Sequence, residues 1–165
     1  MPFADQSFDV VTGFNSFQYA GNFENALLEA KRVLKDKGRL VICIWDKPEV
    51  NDATEVLKAI GSLLPPPPPG APGPFTLSED GKIESIFERA GLKLKYKTTV
   101  PCPFLYPNPG YGVKSFMGTG PAAAAINYTD KEIVEETIAK ALRPFRITED
   151  IYFLQNNFLL FIAEK

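Results

Sequence analysis

The strongest constraint on the fold is a pair of short apolar segments separated by one amphipathic segment. Residues 8–15 read FDVVTGFN and residues 39–46 read RLVICIWD, and β-branched and aromatic side chains dominate both. The intervening residues 22–37 place apolar side chains at intervals of three and four, as an amphipathic helix does. A strand, a helix and a buried strand make a βαβ unit, whose strands are parallel and whose crossover is right-handed. The chain is therefore predicted to be an α/β protein.

The ends of the helices are predicted from the residues that flank them. Asn22 is a favourable N-cap for the first helix, and Gly38 fits the left-handed residue at which helices commonly stop. A second helix is predicted to begin at Asn51 or Asp52 and to end at the five prolines 65–69, which cannot continue it.

The second half of the chain predicts one more helix and two further strands. Ser78 can cap a helix over residues 79–90, and Gly91 can end it. Residues 92–100 read LKLKYKTTV, so lysines would line one face of a strand at the edge of a sheet. Residues 101–149 predict a helical insertion, and the apolar residues 158–164 predict a central strand.

The composition excludes several classes of function. The 165 residues contain no histidine, so neither a Ser-His-Asp nor a Cys-His nucleophile system can form. Cys43 and Cys102 are too few for a structural zinc site, and no metal is expected. A net charge of −2 without a basic cluster argues against nucleic-acid binding, and no apolar run is long enough to span a membrane. Two reduced thiols in a cytoplasmic protein are expected.

Four segments, taken in order, resemble the type 11 class I S-adenosylmethionine-dependent methyltransferases. PFADQSFDVVTGFN (2–15) is similar to the fourth strand of that family, and EAKRVLKDKGRLVICIW (29–45) is similar to its next helix and fifth strand. FERAGLKL (87–94) and NNFLLFIAEK (156–165) resemble the segments that form the sixth and seventh strands. The resemblance implies transfer of a methyl group from S-adenosylmethionine to a small-molecule acceptor.

The resemblance also implies an architecture. The sheet of the family has the order 3-2-1-4-5-7-6 with only strand 7 antiparallel, so this chain would supply a partial Rossmann-like sheet of strands 4-5-7-6 with helices on both faces. Residues 1–165 would form one truncated domain, with 101–149 as an insertion or cap before the last strand. The glycine-rich loop and the acidic residue that grip the cofactor in the family have no counterpart before Pro2. The chain alone is therefore not expected to be competent for methyl transfer.

The resemblance assigns candidate site residues around the ends of two strands. The candidates for binding the cofactor are Pro2, Phe3, Phe14 and Asn15. The candidates for binding the acceptor are Gln18, Tyr19 and Trp45. Asp46 is a weak candidate for a general base, and a loop hydrogen bond is the competing interpretation.

Two alternatives to an active enzyme stay open from the sequence. Without preceding strands, residues 8–14 would form an exposed edge of the sheet, and pairing of this strand with its copy would give a homodimer. One alternative to an active enzyme is therefore a non-catalytic dimeric fragment. The prolines 65–69 would form a polyproline II segment, which suits either an interaction module or a rigid connector.

Overall fold

The computed structural model describes residues 1–66, 73 and 75–165. In chain order the strands are β1 (Phe8–Phe14), β2 (Leu34–Trp45), β3 (Lys93–Pro101), β4 (Phe104–Tyr106), β5 (Tyr152–Leu154) and β6 (Asn157–Glu164). The helices are α1 (Phe23–Val33), α2 (Ala53–Gly61), α3 (Lys82–Arg89), α4 (Pro109–Met117), α5 (Gly120–Ile126) and α6 (Lys131–Leu142). They fall into two compact units. The first comprises Met1–Lys47, Pro72–Pro101 and Asn157–Lys165, and the second comprises Pro48–Ala71 and Cys102–Asn156.

The first unit is built on a four-stranded mixed sheet in the order β1-β2-β6-β3. Strand β1 runs parallel to β2, while β6 runs antiparallel to both β2 and β3. The last strand of the chain therefore lies between two earlier strands, as a 4-5-7-6 arrangement requires. The predicted α/β class and the antiparallel last strand are confirmed.

The core of the first unit lies between one face of this sheet and two helices. Leu40, Ile42 and Phe161 point from the strands into a buried cluster, which Leu27 of α1 and Phe87 of α3 complete. Both helices of this unit lie on that face.

The first crossover helix begins where the sequence predicts and ends earlier. The Asn22 side chain accepts a hydrogen bond from the Asn25 backbone N–H at 2.9 Å, so the predicted N-cap is confirmed. The helix stops at Val33, and Lys37 rather than Gly38 adopts a left-handed φ of 62°. Gly38 is needed for another reason, because a Cβ atom there would lie 2.7 Å from a backbone carbonyl oxygen.

The helix before β3, α3, begins later than predicted. Ser78 lies in a short 3₁₀ turn, and its hydroxyl donates to the Phe75 carbonyl oxygen at 2.6 Å. Gly81, with a φ of 73°, occupies the N-cap of α3 instead. The predicted cap is therefore wrong, whereas Gly91 ends the helix with a φ of 64°, as expected.

Strand β3 lies at one edge of the sheet, as its lysines predict. Its register shifts between Leu94 and Tyr96, which breaks the strict alternation read from the sequence. As a result Tyr96 is 52% exposed. Lys97 instead places its Nζ 5.4 Å from the centre of the Phe161 ring and donates to Glu84 at 2.6 Å. The bulge therefore turns one lysine towards the helix-covered face.

In the described part of the second unit, four helices accompany a two-stranded antiparallel sheet. Strands β4 and β5 pair through Phe104 and Leu154, separately from the main sheet. The helices α2, α4, α5 and α6 bury apolar side chains, among them Val56, Phe116 and Ile138. The unit contains most of the predicted insertion together with residues of α2. The division into one domain with a cap over 101–149 stays a prediction.

Within the run of prolines 65–69, residues 67–69 lie outside the described residues, so the polyproline interaction module stays a prediction. Among the described helices, none combines the length and the apolar composition that crossing a bilayer requires.

Candidate functional site

The candidate site lies at the edge of the first unit where β1 and β2 both end. The two strands are parallel, and Phe14 pairs with Cys43 near their carboxyl ends. The loop that follows Phe14 and the residues that follow Cys43 therefore leave the sheet at the same edge. In open α/β sheets, this is the edge at which ligands bind.

The loop after β1 is organised by two side-chain amides. Asn15 has a left-handed φ of 47°, which asparagine tolerates better than most residues, and its N–H donates to the Cys43 carbonyl oxygen at 2.7 Å. The Gln18 side chain donates from Nε2 to Asn15 Oδ1. The Gln18 Oε1 atom is buried and accepts no hydrogen bond from the described part of the chain. An acceptor of this kind suits a donor on a ligand.

Gly13 holds this loop close to the sheet. A Cβ atom at Gly13 would lie 2.1 Å from the Phe17 ring, so the ring packs directly over the glycine. The Phe17 ring also meets Phe23 edge-on, with ring centres 5.9 Å apart. Gly13 was not predicted from the sequence as a site residue, although a glycine near the end of a β-branched strand often marks the close approach of another part of the chain or of a ligand.

Pro2 and Phe3 lie at the other end of β1. The Phe3 ring meets Phe8 edge-on at 5.0 Å, and its carbonyl oxygen accepts from Arg32 Nη2 at 2.9 Å. Strand β1 separates Phe8 from Asn15 by roughly 20 Å, at about 3.3 Å per residue. Phe3 and Asn15 therefore lie towards opposite ends of β1, and their roles in binding the cofactor stay predictions.

Charged groups hold the residues that precede β1 against α1. Glu29 accepts from Arg32 Nε at 2.7 Å and from the Met1 amino group at 2.6 Å. The hydrogen bond from Arg32, reinforced by the amino group, lowers the pKa of the Glu29 carboxyl to about 2. The hydrogen bonds that Arg32 donates to Glu29 and to Asp5 raise the pKa of Arg32 above its usual value.

Trp45 and Asp46 follow the end of β2. Trp45 is only 6% exposed and stacks on Phe158 with ring centres 4.5 Å apart. The Asp46 carboxylate accepts from the Lys47 backbone N–H at 2.7 Å and from the Thr99 hydroxyl at 3.4 Å. These contacts match the loop hydrogen bond that competes with a general-base role for Asp46. The buried Trp45 ring packs against its neighbours and does not present an exposed face for stacking.

Two exposed aromatic side chains flank the same edge. Phe14 is 60% exposed at the end of β1, and Tyr19 is exposed in the 3₁₀ turn Phe17–Tyr19. An open cavity of about 300 Å³ lies beside this turn, and its lining includes Val11, Phe17 and Glu29. Among the described residues, no group of three His, Cys, Asp or Glu side chains could hold a metal ion.

Comparison with known proteins identifies this architecture. Residues 1–42, which contain β1, α1 and most of β2, match the model of the methyltransferase domain family Methyltransf_11. The chain has a methyltransferase fold. It superposes over 100% of its length on the protein BH2331 from Bacillus halodurans, which is assigned as a methyltransferase, with a TM-score of 0.56 and 18% identity. It superposes equally completely on the YcgJ protein from Bacillus subtilis, with a TM-score of 0.53 and 17% identity.

This methyltransferase-like chain covers only part of its relatives. It spans 67% of each of the two Bacillus structures. It also superposes on the [4+2]-cyclase SpnF, with a TM-score of 0.51 and 17% identity over 52% of that protein. No curated protein sequence matches the chain. A fold shared with a cyclase supports more than one reaction, so the reaction must be argued from the site.

Proposed function

We propose that this chain serves S-adenosylmethionine-dependent methyl transfer to a small-molecule acceptor at the edge where β1 and β2 end. One observation supports the proposal. The segment that matches a methyltransferase family, residues 1–42, includes the polar loop at the edge of the sheet where ligands bind in open α/β proteins. The proposal extends the resemblance of the fold to a site made by residues of this chain.

The residues at this edge fit one end of the cofactor. The buried Gln18 Oε1 is an acceptor without a partner among the described residues, while Nε2 of the same side chain donates to Asn15 Oδ1. An ammonium group is a donor that would satisfy such an oxygen. The exposed Phe14 ring supplies an adjacent apolar surface. Asn15, Gln18 and Phe14 would therefore hold the methionine part of the cofactor.

The chemistry makes modest demands on the side chains. When bound, S-adenosylmethionine supplies a methyl group on a sulfonium, and an acceptor atom displaces the sulfur in line. Alignment rather than a covalent protein nucleophile is then the main contribution of the protein, which agrees with a chain that has no histidine. Tyr19 would orient the acceptor from its exposed position, while Trp45 stiffens the wall behind it. Asp46, held by Lys47 and Thr99, would serve mainly to fix the loop.

We propose a second copy of this chain as its macromolecular partner, with β1 as the paired strand. We also propose a reducing, cytoplasmic location, since Cys43 and Cys102 are not joined in a disulfide.

Calorimetric titration with S-adenosylhomocysteine tests the proposed site. The Gln18→Leu variant removes the amide and should weaken binding roughly tenfold, because it deletes about one good hydrogen bond. Gln155→Leu is the matched control, since that exposed side chain lies in the second unit. Equal affinity for the wild type and Gln18→Leu would contradict the site, and absence of binding to the wild type would contradict the proposal for this chain.

A further inference from the structure

Asn15 anchors the loop after β1 to the main sheet. Its backbone adopts a left-handed φ of 47°, and its N–H donates to the Cys43 carbonyl oxygen of β2 at 2.7 Å. Asparagine is one of the few residues other than glycine that adopt this conformation readily. The Asn15 side chain therefore starts from a fixed point at the edge where β1 and β2 end.

The Asn15 side chain in turn holds the amide of Gln18. Gln18 Nε2 donates to Asn15 Oδ1. A carboxamide has a nitrogen on one side and an oxygen on the other, so a bond that fixes the nitrogen also fixes the direction of the oxygen. Gln18 Oε1 is thereby directed to a buried position, where no residue that the structure describes donates to it. Because a buried acceptor without a donor is unfavourable, the bond to Asn15 accounts for this direction better than the surroundings of the oxygen do.

We propose that Asn15 is a positioning residue, which directs the Gln18 oxygen to the α-ammonium group of the cofactor. In the proposed function, on which this inference rests, the loop holds the methionine part of S-adenosylmethionine. The ammonium group of that part only donates hydrogen bonds, and its carboxylate group only accepts them. With Nε2 turned to Asn15, Oε1 is left for the ammonium group. The opposite direction of the amide would present Nε2 and would favour the carboxylate group instead.

The expected consequence is a preference for ligands that carry an amino-acid end. S-adenosylhomocysteine and 5′-methylthioadenosine both contain adenosine and a thioether sulfur, but only S-adenosylhomocysteine has the ammonium group. The wild-type chain should therefore bind S-adenosylhomocysteine more tightly, by roughly tenfold or more, because a hydrogen bond to a charged group contributes at least about that factor.

Two substitutions that tolerate the backbone conformation of Asn15 test its role by calorimetric titration. Asn15→Gly removes the side chain without strain at a positive φ, so it should reduce the preference for S-adenosylhomocysteine roughly tenfold and leave the affinity for 5′-methylthioadenosine unchanged. Asn15→Asp retains an oxygen that accepts from Gln18 Nε2, so it should keep the preference. Asn127→Gly is the matched control, because it removes an exposed asparagine side chain of the second unit.

The outcomes separate the role of Asn15 from cofactor binding. If Asn15→Gly loses affinity for both ligands equally, Asn15 only supports the loop and the positioning role is overturned. If Asn15→Asp loses the preference as Asn15→Gly does, the assigned direction of the Gln18 amide is wrong. A wild type that binds both ligands equally overturns the inference and leaves cofactor binding intact, and this comparison holds even where Asn15→Gly does not fold. A wild type that binds neither ligand contradicts the proposed function itself.

Discussion

Replacing Asn156 by leucine should destabilise the second unit more than any surface change in it. Asn156 is completely buried, and its Oδ1 accepts from the Ala53 backbone N–H at 3.0 Å, at the first turn of α2. Its Nδ2 donates to the Leu154 carbonyl oxygen at 3.2 Å. The first N–H groups of a helix have no partner within the helix, so the amide of Asn156 takes that role for Ala53.

The magnitude follows from these two bonds. A buried N–H left without an acceptor costs about 1–3 kcal/mol, and the second lost hydrogen bond adds about 0.5–1.5 kcal/mol. Leucine is similar in size and recovers part of this through apolar contacts. Asn156→Leu should therefore lower the free energy of unfolding by about 1–4 kcal/mol, measured by urea denaturation followed by circular dichroism.

The control for this prediction is Asn127→Leu, an exposed asparagine of the same unit that follows α5. Its effect should stay within about 0.5 kcal/mol, as for most surface changes. If Asn156→Leu unfolds at the same urea concentration as the control, the two hydrogen bonds do not stabilise the unit and the reasoning is refuted.

Three further changes test the first unit. Gly13→Ala would place a methyl group 2.1 Å from the Phe17 ring, so it should cost about 1–3 kcal/mol in urea denaturation and also weaken S-adenosylhomocysteine binding; an unchanged affinity would show that this packing does not shape the loop. Gly38→Ala should cost a similar 1–3 kcal/mol, since its Cβ would lie 2.7 Å from a backbone oxygen; a neutral effect in the same assay would contradict the close approach. The lowered pKa of Glu29, which results chiefly from its bond with Arg32, stabilises the fold above about pH 4.5, and this stability is lost as the pH falls through about 2. Glu29→Gln should remove that part of the pH dependence in thermal melts between pH 5 and 2, and identical pH profiles would count against the ion pair.

Local patterns predicted the elements of the first unit well. Asn22 and the apolar spacing after it predicted α1, and the long apolar runs predicted β2 and β6, because caps and periodicity act over a few residues. The order of the strands came from resemblance to the methyltransferases. The structure confirms it through the pairing of Ile42 with Phe161 at the centre of the sheet.

Features that depend on tertiary contacts escaped the sequence. The bulge between Leu94 and Tyr96 depends on the neighbouring strand β6, so strict alternation gave the wrong face for Lys97. Gly38 was explained by backbone freedom, whereas a nearby carbonyl oxygen requires it. For the candidate site, resemblance named both Phe3 and Asn15 as cofactor residues, and the structure adds that β1 lies between them.

We expect the cofactor to bind at the edge where β1 and β2 end. The most direct measurement is a titration of ¹⁵N-labelled protein with S-adenosylhomocysteine, followed by backbone amide chemical shifts. The largest chemical-shift changes should fall on Phe14 to Tyr19 and on the residues that follow β2. Saturable changes confined to other parts of the chain, or none at millimolar ligand, would contradict it.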